Sequence, residues 1–272
     1  MTFQVLPDGG AAPLRETTAL VTGAGAGLGR QIALALGRRG AGLALMDVDE
    51  AGLAESVAML PPGIECATRV VDVRDEEAVA GAVEFFHDRL KPIDVCVNNA
   101  GIISVNPIAR TEVSAWRRVM DVNVTGTFIV TREWFRQLPS QQRLGRRGLL
   151  VNISSPAADG GRPLIASYGA SKAAVNHLTA SAAQAWRTDG VSAVVLYPGS
   201  HRDGMWSNLA DQFAAVEGRS AQEIIAEREF SDSAEFGRLV ADVVSVPGLR
   251  LSGTIVSHDR SVRDLLGAWD GS

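Results

Sequence analysis

Short apolar runs rich in β-branched residues alternate with longer amphipathic runs along almost the whole 272-residue chain. This alternation constrains the fold more than any single residue does. "TTALVTG" precedes "GLGRQIALALGRRG", in which Leu28, Ile32 and Leu36 recur at helical spacing. "AGLALMDVD" leads into a helix over about 50–60, "CATRVVDV" into one over 76–90, and "IDVCVNNAG" into a long one over about 113–138. "GLLVNISS" is followed by a helix over 168–187, and "VSAVVLYPG" by an irregular and helical stretch over about 200–244. "GTIVSHD" reads as a last strand. Strands that are apolar nearly throughout, separated by helices, require a parallel sheet covered on both faces. The expected fold is one doubly wound α/β domain of about seven parallel strands with helices on both faces, over residues 17–272. Residues 1–16 form a weakly patterned extension, and no repeat or Gly/Ser/Pro linker divides the chain.

Composition excludes several functions. A net charge of −5 and a pI near 5.4 argue against a nucleic-acid or acidic-membrane surface. "MTFQVLPDGG" has neither a basic run nor an apolar signal region, and no apolar stretch approaches a membrane span. Cys66 and Cys96 sit in strand-like runs as free thiols, too few for a disulfide framework. The expected location is cytoplasmic.

Between the first strand and first helix, "TALVTGAGAGLGRQIA" places Gly23, Gly25, Gly27 and Gly29. Such a turn brings backbone N–H groups close to a phosphate at a helix N-terminus, where side chains would obstruct it. The strict G-x-G-x-x-G spacing is not met, because Leu28 and Arg30 interrupt it; Thr22, Gly23, Gly27 and Gly29 give T-G-x-x-x-G-x-G instead. A phosphate-loop Lys-Ser/Thr is missing, which argues against an NTPase. A glycine-rich turn with no ligand is the plain alternative, and Asp47 speaks against it. Asp47 ends the second strand 18 residues after Gly29, near the offset of an acid that binds a ribose 2′-hydroxyl. Its carboxylate would repel a 2′-phosphate, and no basic residue lies inside the loop, so NAD(H) is expected over NADP(H). A helix N-cap is the competing role for Asp47, although Asp49 in "DVDE" is also a capping candidate. Asp72 could accept from an adenine amino group, with Val73 offering backbone. In "NNAG", Asn98 and Asn99 could pin strand ends as readily as touch a ligand.

"TGAGAGLG", "NNAG", "DVNVTG", "VNISS", "YGASK" and "YPG" follow one another in that order. With them the chain resembles a short-chain dehydrogenase/reductase from about Thr18 to the last strand. The resemblance implies a Rossmann-like fold and Asn123, Ser155, Tyr168 and Lys172 as catalytic residues. Ser155 lies 13 residues before Tyr168, as the family pattern requires, with Ser154 as its structural neighbour. The implied cofactor positions are Gly23, Gly27, Leu28, Gly29, Asp47, Val48, Asp72, Val73, Asn99, Ala100, Gly101, Tyr168, Lys172, Pro198 and Gly199.

The chemistry can be argued without the family. Hydride transfer between a secondary alcohol and a nicotinamide needs a group that takes or gives the hydroxyl proton. A tyrosine, with an ordinary pKa of about 10, needs its anion stabilised to do so. Lys172, four residues after Tyr168 on one helix face, brings a positive charge within reach and could bond the nicotinamide ribose. Ser155 at a strand end can hold the substrate oxygen beside Tyr168, and the Asn123 carbonyl could hold a water that relays protons to Lys172. A surface Tyr–Lys pair, a turn serine and a satisfied helix asparagine are the bland alternatives. Lysine occurs only at Lys91 and Lys172, and every other one of the 26 basic residues is arginine. A replaceable surface cation would therefore be arginine here, which favours a particular task for Lys172.

The chain departs from the family pattern after "YPG": in "YPGSHRDGMWSNL" no threonine follows to meet the carboxamide, and Ser200 or backbone groups would substitute. Residues 200–230 are expected to cover the substrate, with Met205 and Trp206 as substrate contacts beside Ser155 and Tyr168. Trp206, Leu209, Phe213 and Ile224 recur at roughly helical intervals; a pocket wall and core or oligomer contacts are both open. His201, Arg202 and Arg162 could meet a polar substrate group or be solvated charges. His87, His177, His201 and His258 share no ligand spacing, so no metal is expected.

By resemblance, the helices over 113–138 and 168–187 pack between subunits, giving a homotetramer, with a dimer next. The residues after the last strand could pack near a neighbouring subunit's pocket. The reading is an NAD(H)-dependent oxidoreductase that interconverts a secondary alcohol and a ketone on an apolar or cyclic small molecule, with Tyr168 as general acid/base. A 3-oxoacyl thioester reductase is the rival within the class. A non-catalytic nucleotide-binding or scaffold protein is the rival outside it; that reading predicts erosion of the four catalytic positions, and all four are in place.

Overall fold

The computed structural model describes residues 14–90, 92–138, 148–201, 206–246 and 251–258, with side chains for all but 206–208. Seven parallel strands form one sheet: β1 (Thr18–Thr22), β2 (Gly42–Asp47), β3 (Cys66–Val70), β4 (Val95–Asn98), β5 (Leu149–Ile153), β6 (Ser192–Tyr197) and β7 (Ile255–Ser257). Their spatial order is β3-β2-β1-β4-β5-β6-β7. The chain reverses its winding direction between β1 and β4, so the crevice for a ligand opens at the carboxyl ends of these strands.

Side-chain alternation explains why both faces are covered. Ala19, Val21, Val95, Val97, Val151, Ile153, Val194 and Leu196 point into one core, while Leu20, Cys96, Leu150 and Ala193 point into the other. The first core is closed by α1 (Gly27–Arg38) and α9 (Ser233–Ser245), the second by α3 (Glu76–Arg89), α5 (Thr127–Gln137) and the far end of α6 (Ala166–Ala185). Between β2 and β3 lies α2 (Glu50–Ala58). Arg39, after α1, pairs with Asp242 and donates to Ser245 Oγ at 3.0 Å, tying α1 to α9. Leu14 is buried in the first core, and its N–H donates to Arg39 O at 2.8 Å. Residues 1–13 of the extension lie outside the described residues.

One expected element is built differently. The single helix over 113–138 is α4 (Val113–Met120) and α5, joined by a π-helical turn at Asp121–Gly126. A π turn inserts a residue into the helical repeat and so re-aims the side chains within it. Within it Gly126 packs so tightly that a Cβ there would lie 2.5 Å from Val73 Cγ2, and Asn123 is fully buried. Beyond β6, α7 (Trp206–Glu217) and α8 (Ala221–Ala226) form a separate small core in which Leu209, Phe213 and Ile224 bury against Val105, flanked by Ile103, Leu164 and Ile165.

Candidate active site

The glycine turn after β1 needs its glycines for two different reasons. Gly23 and Gly27 adopt φ of +66° and +49°, where side chains are strained. Gly29 lies against the turn itself, and a Cβ on it would sit 1.9 Å from Gly23 O. The turn is fastened across the switch point. Thr22 Oγ1 accepts the N–H groups of Asn99 and Ala100 at 3.1 Å each, and Asn99 Nδ2 donates to Thr22 O and Gly23 O at 3.1 and 3.2 Å. Asn99 thus serves as a fastener, as does Asn98, whose amide donates to Thr131 Oγ1 and Asn152 Oδ1 at 2.8 Å each.

Asp47 accepts from Gly25 N at 2.8 Å and from Asp49 N at 3.0 Å, whereas the cap of α2 is Asp49, which accepts from Gly52 N at 3.1 Å. The capping role therefore belongs to Asp49, and the Asp47 carboxylate stands at the mouth of the glycine turn beside exposed Val48. Arg30 braces the same corner, donating to Gly25 O, to Ser56 Oγ at 3.0 Å and to Glu55 at 2.8 Å. Its position just inside the first turn of α1 was the only sequence sign of that role. Asp72 is engaged by Arg74 at 2.5 Å, and that bond holds its carboxyl below the ordinary range. This pairing competes with the adenine contact expected of it. Val73 is buried against the π turn.

The four residues expected to be catalytic converge. Lys172 is buried near the Tyr168 ring, its Nζ 5.6 Å from the ring centre, and donates to Ile153 O at 2.8 Å. Burial pushes Lys172 down to about 8. It pushes Tyr168 up to about 12, opposed by a side-chain hydrogen bond with Ser155. A Cβ on Gly101 would lie 3.3 Å from Asn123 Oδ1 and 3.6 Å from Lys172 Nζ, so the NNAG backbone passes directly over the pair.

Asn123 is a clamp. Its Oδ1 accepts from Ile102 N at 2.8 Å, and its Nδ2 donates to Ile102 O and Ser171 Oγ at 2.9 Å each. Ser171 Oγ in turn donates to Tyr168 O at 2.7 Å. The Asn123 carbonyl accepts from Thr127 Oγ1 at 2.8 Å, which occupies one of its two lone pairs. Ser154 Oγ donates to Lys172 O at 3.1 Å. Sequence reasoning passed over Ser171 and Thr127. A polar residue on the buried face of a helix, directly before the only lysine of that helix, was the available signal for Ser171.

After β6, Pro198 and Gly199 lead into a tightly held loop. A Cβ on Gly199 would lie 2.5 Å from Ser231 Oγ and 2.9 Å from His258 Nε2. Ser200 O accepts from Ser231 N at 2.8 Å. His201 is buried, its Nδ1 3.0 Å from Ser231 O and its ring 6.0 Å from that of Phe236. These contacts anchor the loop and keep the ring out of bulk solvent. Met205, Arg202 and the side chain of Trp206 lie outside the described residues. Leu209, Phe213 and Ile224 make core contacts with Val105 and face the loop carrying Ile165. Among the described residues no group of three or more His, Cys, Asp or Glu is placed to hold a metal, and no helix is long and apolar enough to cross a membrane.

A dinucleotide fits these residues: the turn offers backbone where a Cβ could not stand, and an acid waits beside it. The family model described as short chain dehydrogenase matches residues 17–213. A sorbitol dehydrogenase of Cereibacter sphaeroides is 31% identical over 82% of this chain and 84% of its own length. The structure of an NAD+-bound xylitol dehydrogenase superposes with a TM-score of 0.79 at 30% identity, covering 90% of this chain and 98% of that one. That of a single-substitution variant of actinorhodin polyketide ketoreductase with NADPH gives 0.80 at 28% identity, covering 89% and 95%.

Proposed function

The chain belongs to the short-chain dehydrogenase family and is an oxidoreductase acting on CH–OH groups, and on that premise we propose that it interconverts a small secondary alcohol and its ketone with NAD(H), using Tyr168 as general acid/base. The observation that carries this reading is the convergence of Ser155, Tyr168, Lys172 and Asn123 beneath the NNAG backbone. When bound, the dinucleotide accepts or returns the hydride; the chain's own residues handle the proton. In oxidation, Tyr168 takes the hydroxyl proton as the carbon gives up its hydride; in reduction it returns that proton to the ketone oxygen. Lys172 supplies the cation that favours the phenolate, and Ser155 holds the substrate oxygen at the phenol. Asn123 and Ser171 fix the Tyr168 backbone, so that the phenol does not wander from that oxygen.

The preference for NAD(H) rests on Asp47, whose carboxylate would accept from the ribose hydroxyls and repel a 2′-phosphate. An NAD+-bound relative supports it, although the NADPH-bound ketoreductase shares the fold. We read the segment 200–230 as the cover of the substrate site and favour an apolar or cyclic substrate, since the core of that cover is apolar and borders the loop after Ser155. Exposed Val113, Trp116 and Phe128 on α4 and α5 support a homotetramer packed through these helices. Two free cysteines and no long apolar helix among the described residues are in keeping with the cytoplasm. A thioester ketoreductase is the second reading, favoured by the polyketide ketoreductase likeness.

A screen of cyclic alcohols, diols, polyols and acetoacetyl thioesters, followed by NADH absorbance, tests the reading. Turnover of a cyclic or vicinal secondary alcohol with a higher kcat/KM for NADH than NADPH is expected. Preferential turnover of the thioester, or a clear NADPH preference, overturns it.

A further inference from the structure

The loop from Ser155 to Tyr168 carries two of the reacting side chains at its ends, yet little holds its middle. A short 3-10 turn covers Pro156–Ala158, with Ala157 N donating to Ser155 Oγ at 3.1 Å and Ala158 N to Ser155 O at 2.9 Å. Gly160 and Gly161 follow, and Cβ atoms there would meet nothing within 4 Å. The next attachment is on the far side, where Asn106 N donates to Leu164 O at 2.7 Å. Between the turn and the two glycines stands Asp159, and its Oδ1 accepts from the hydroxyl of Tyr197 at 2.7 Å. Tyr197 ends β6 with its ring buried, and the same hydroxyl accepts from Asn176 Nδ2 at 2.5 Å. Asn176 lies one turn beyond Lys172 on α6.

The arrangement is not one that stability alone would choose. The Asn176 Oδ1 is buried and finds no donor among the described residues, a cost that an aliphatic side chain would avoid. A phenylalanine at position 197 would fill the same core space. The hydroxyl adds only the bridge between Asp159 on the loop and Asn176 on the catalytic helix. Burial, with the Asp159 bond second, pushes Tyr197 up to about 12, so it remains a protonated donor at neutral pH.

Resting on the assignment of Ser155 and Tyr168 above, we propose that Tyr197 is a positioning residue: through Asp159 and Asn176 it latches the Ser155 loop to α6 and β6 and so holds Ser155 at the Tyr168 phenol. The turn passes the constraint on, because Asp159 N donates to Pro156 O at 3.3 Å and α6 abuts Ala157, whose carbonyl oxygen would be 2.8 Å from a Cβ on Gly169. Loss of the latch frees the residues after Ser155 and loosens its bond to Tyr168.

The chain contains only two tyrosines, Tyr168 and Tyr197, so the protein labelled with 13C at tyrosine Cζ gives two resonances, assigned by Tyr168→Phe and Tyr197→Phe. Both Tyr197→Phe and Asp159→Ala are expected to move the Tyr168 resonance and to speed amide exchange over 156–165, with exchange in β1 and α1 unchanged. With whichever alcohol the screen identifies, kcat should fall about tenfold while the Kd for NADH holds. A Tyr168 resonance that stays at its wild-type position in either variant overturns the proposal, whatever happens to Tm. Asp159 is exposed, so should Tyr197→Phe fail to fold, Asp159→Ala decides alone. A silent alcohol screen with a moved resonance would count against the proposed reaction and leave the latch standing; an active screen with a still resonance would do the reverse.

Discussion

At the β1 end of the crevice, the chain holds its dinucleotide turn with backbone and short side chains: Thr22 and Asn99 span the strands, and Gly29 sits where no Cβ can follow. At the β5–β6 end, the candidate reacting groups are held by side chains that reach long distances in sequence, Asn123 to Ser171 over 48 residues and Tyr197 to Asp159 over 38. The first region is a rigid mould whose shape is read from local spacing. The second is an assembly of charges and hydroxyls whose geometry depends on how helices pack. Changes in the mould should therefore abolish binding, whereas changes in the assembly should alter chemistry and leave binding intact.

Gly29→Ala is the severest test of the mould. A methyl 1.9 Å from Gly23 O forces the turn open, and the loss of NADH binding, read by fluorescence titration, is expected to be complete. NADH binding within twofold of wild type would break the contrast.

Tyr168→Phe tests the assembly. Removing the phenolic proton should cut kcat by about 10²–10⁴-fold while the Kd for NADH changes little, as measured by steady-state and binding titrations on the same preparation. In wild type, log kcat/KM for oxidation should rise with pH and that for reduction should fall, because the two directions need opposite protonation states of Tyr168.

Lys172 exposes the tension between chemistry and stability. Its folded pKa of about 8 lies below its ordinary 10.5, so between these values the unfolded chain holds the extra proton and stability rises with pH. Below about 8 the buried ammonium is destabilising in full. Lys172→Met should therefore raise stability at pH 7 by about 1–3 kcal/mol, after loss of the Ile153 bond, while removing activity; denaturant titration at pH 7 reads it. A destabilised Lys172→Met would mean that the Ile153 contact outweighs burial.

The smallest effect lies in the segment proposed as the cover. Ser220 and Glu223 form a capping box at α8, and Ser220→Ala should cost about 1 kcal/mol locally, seen as faster amide exchange over 220–226 with kcat nearly unchanged.

Much of the mould was legible in the chain. The strands and the glycine spacing follow from local pattern, and Asp47 was found as a candidate ribose acid by its fixed offset from a strand end. The candidate reacting residues were legible as candidates, through ordered motifs and a lysine in an arginine-rich chain, and the fold brings them together. The π turn was not: nothing in "DVNVTG" distinguishes it from a continuous helix until Val73, 53 residues earlier, packs on Gly126. Asp49 and Asp47 were interchangeable as caps until Gly25 and Gly52 showed which N–H each one meets. The burial of His201, expected to be solvated or to meet substrate, was not legible either, because its packing on Phe236 joins segments 35 residues apart.

By itself the sequence determined the parallel doubly wound sheet, the dinucleotide turn and the list of candidate reacting groups, since each depends on periodicity and short fixed spacings. The tertiary structure decided which hydroxyl and amide groups hold those reacting atoms in place. Hydrogen bonds between residues tens of positions apart depend on ångström-scale packing, and no local pattern encodes that.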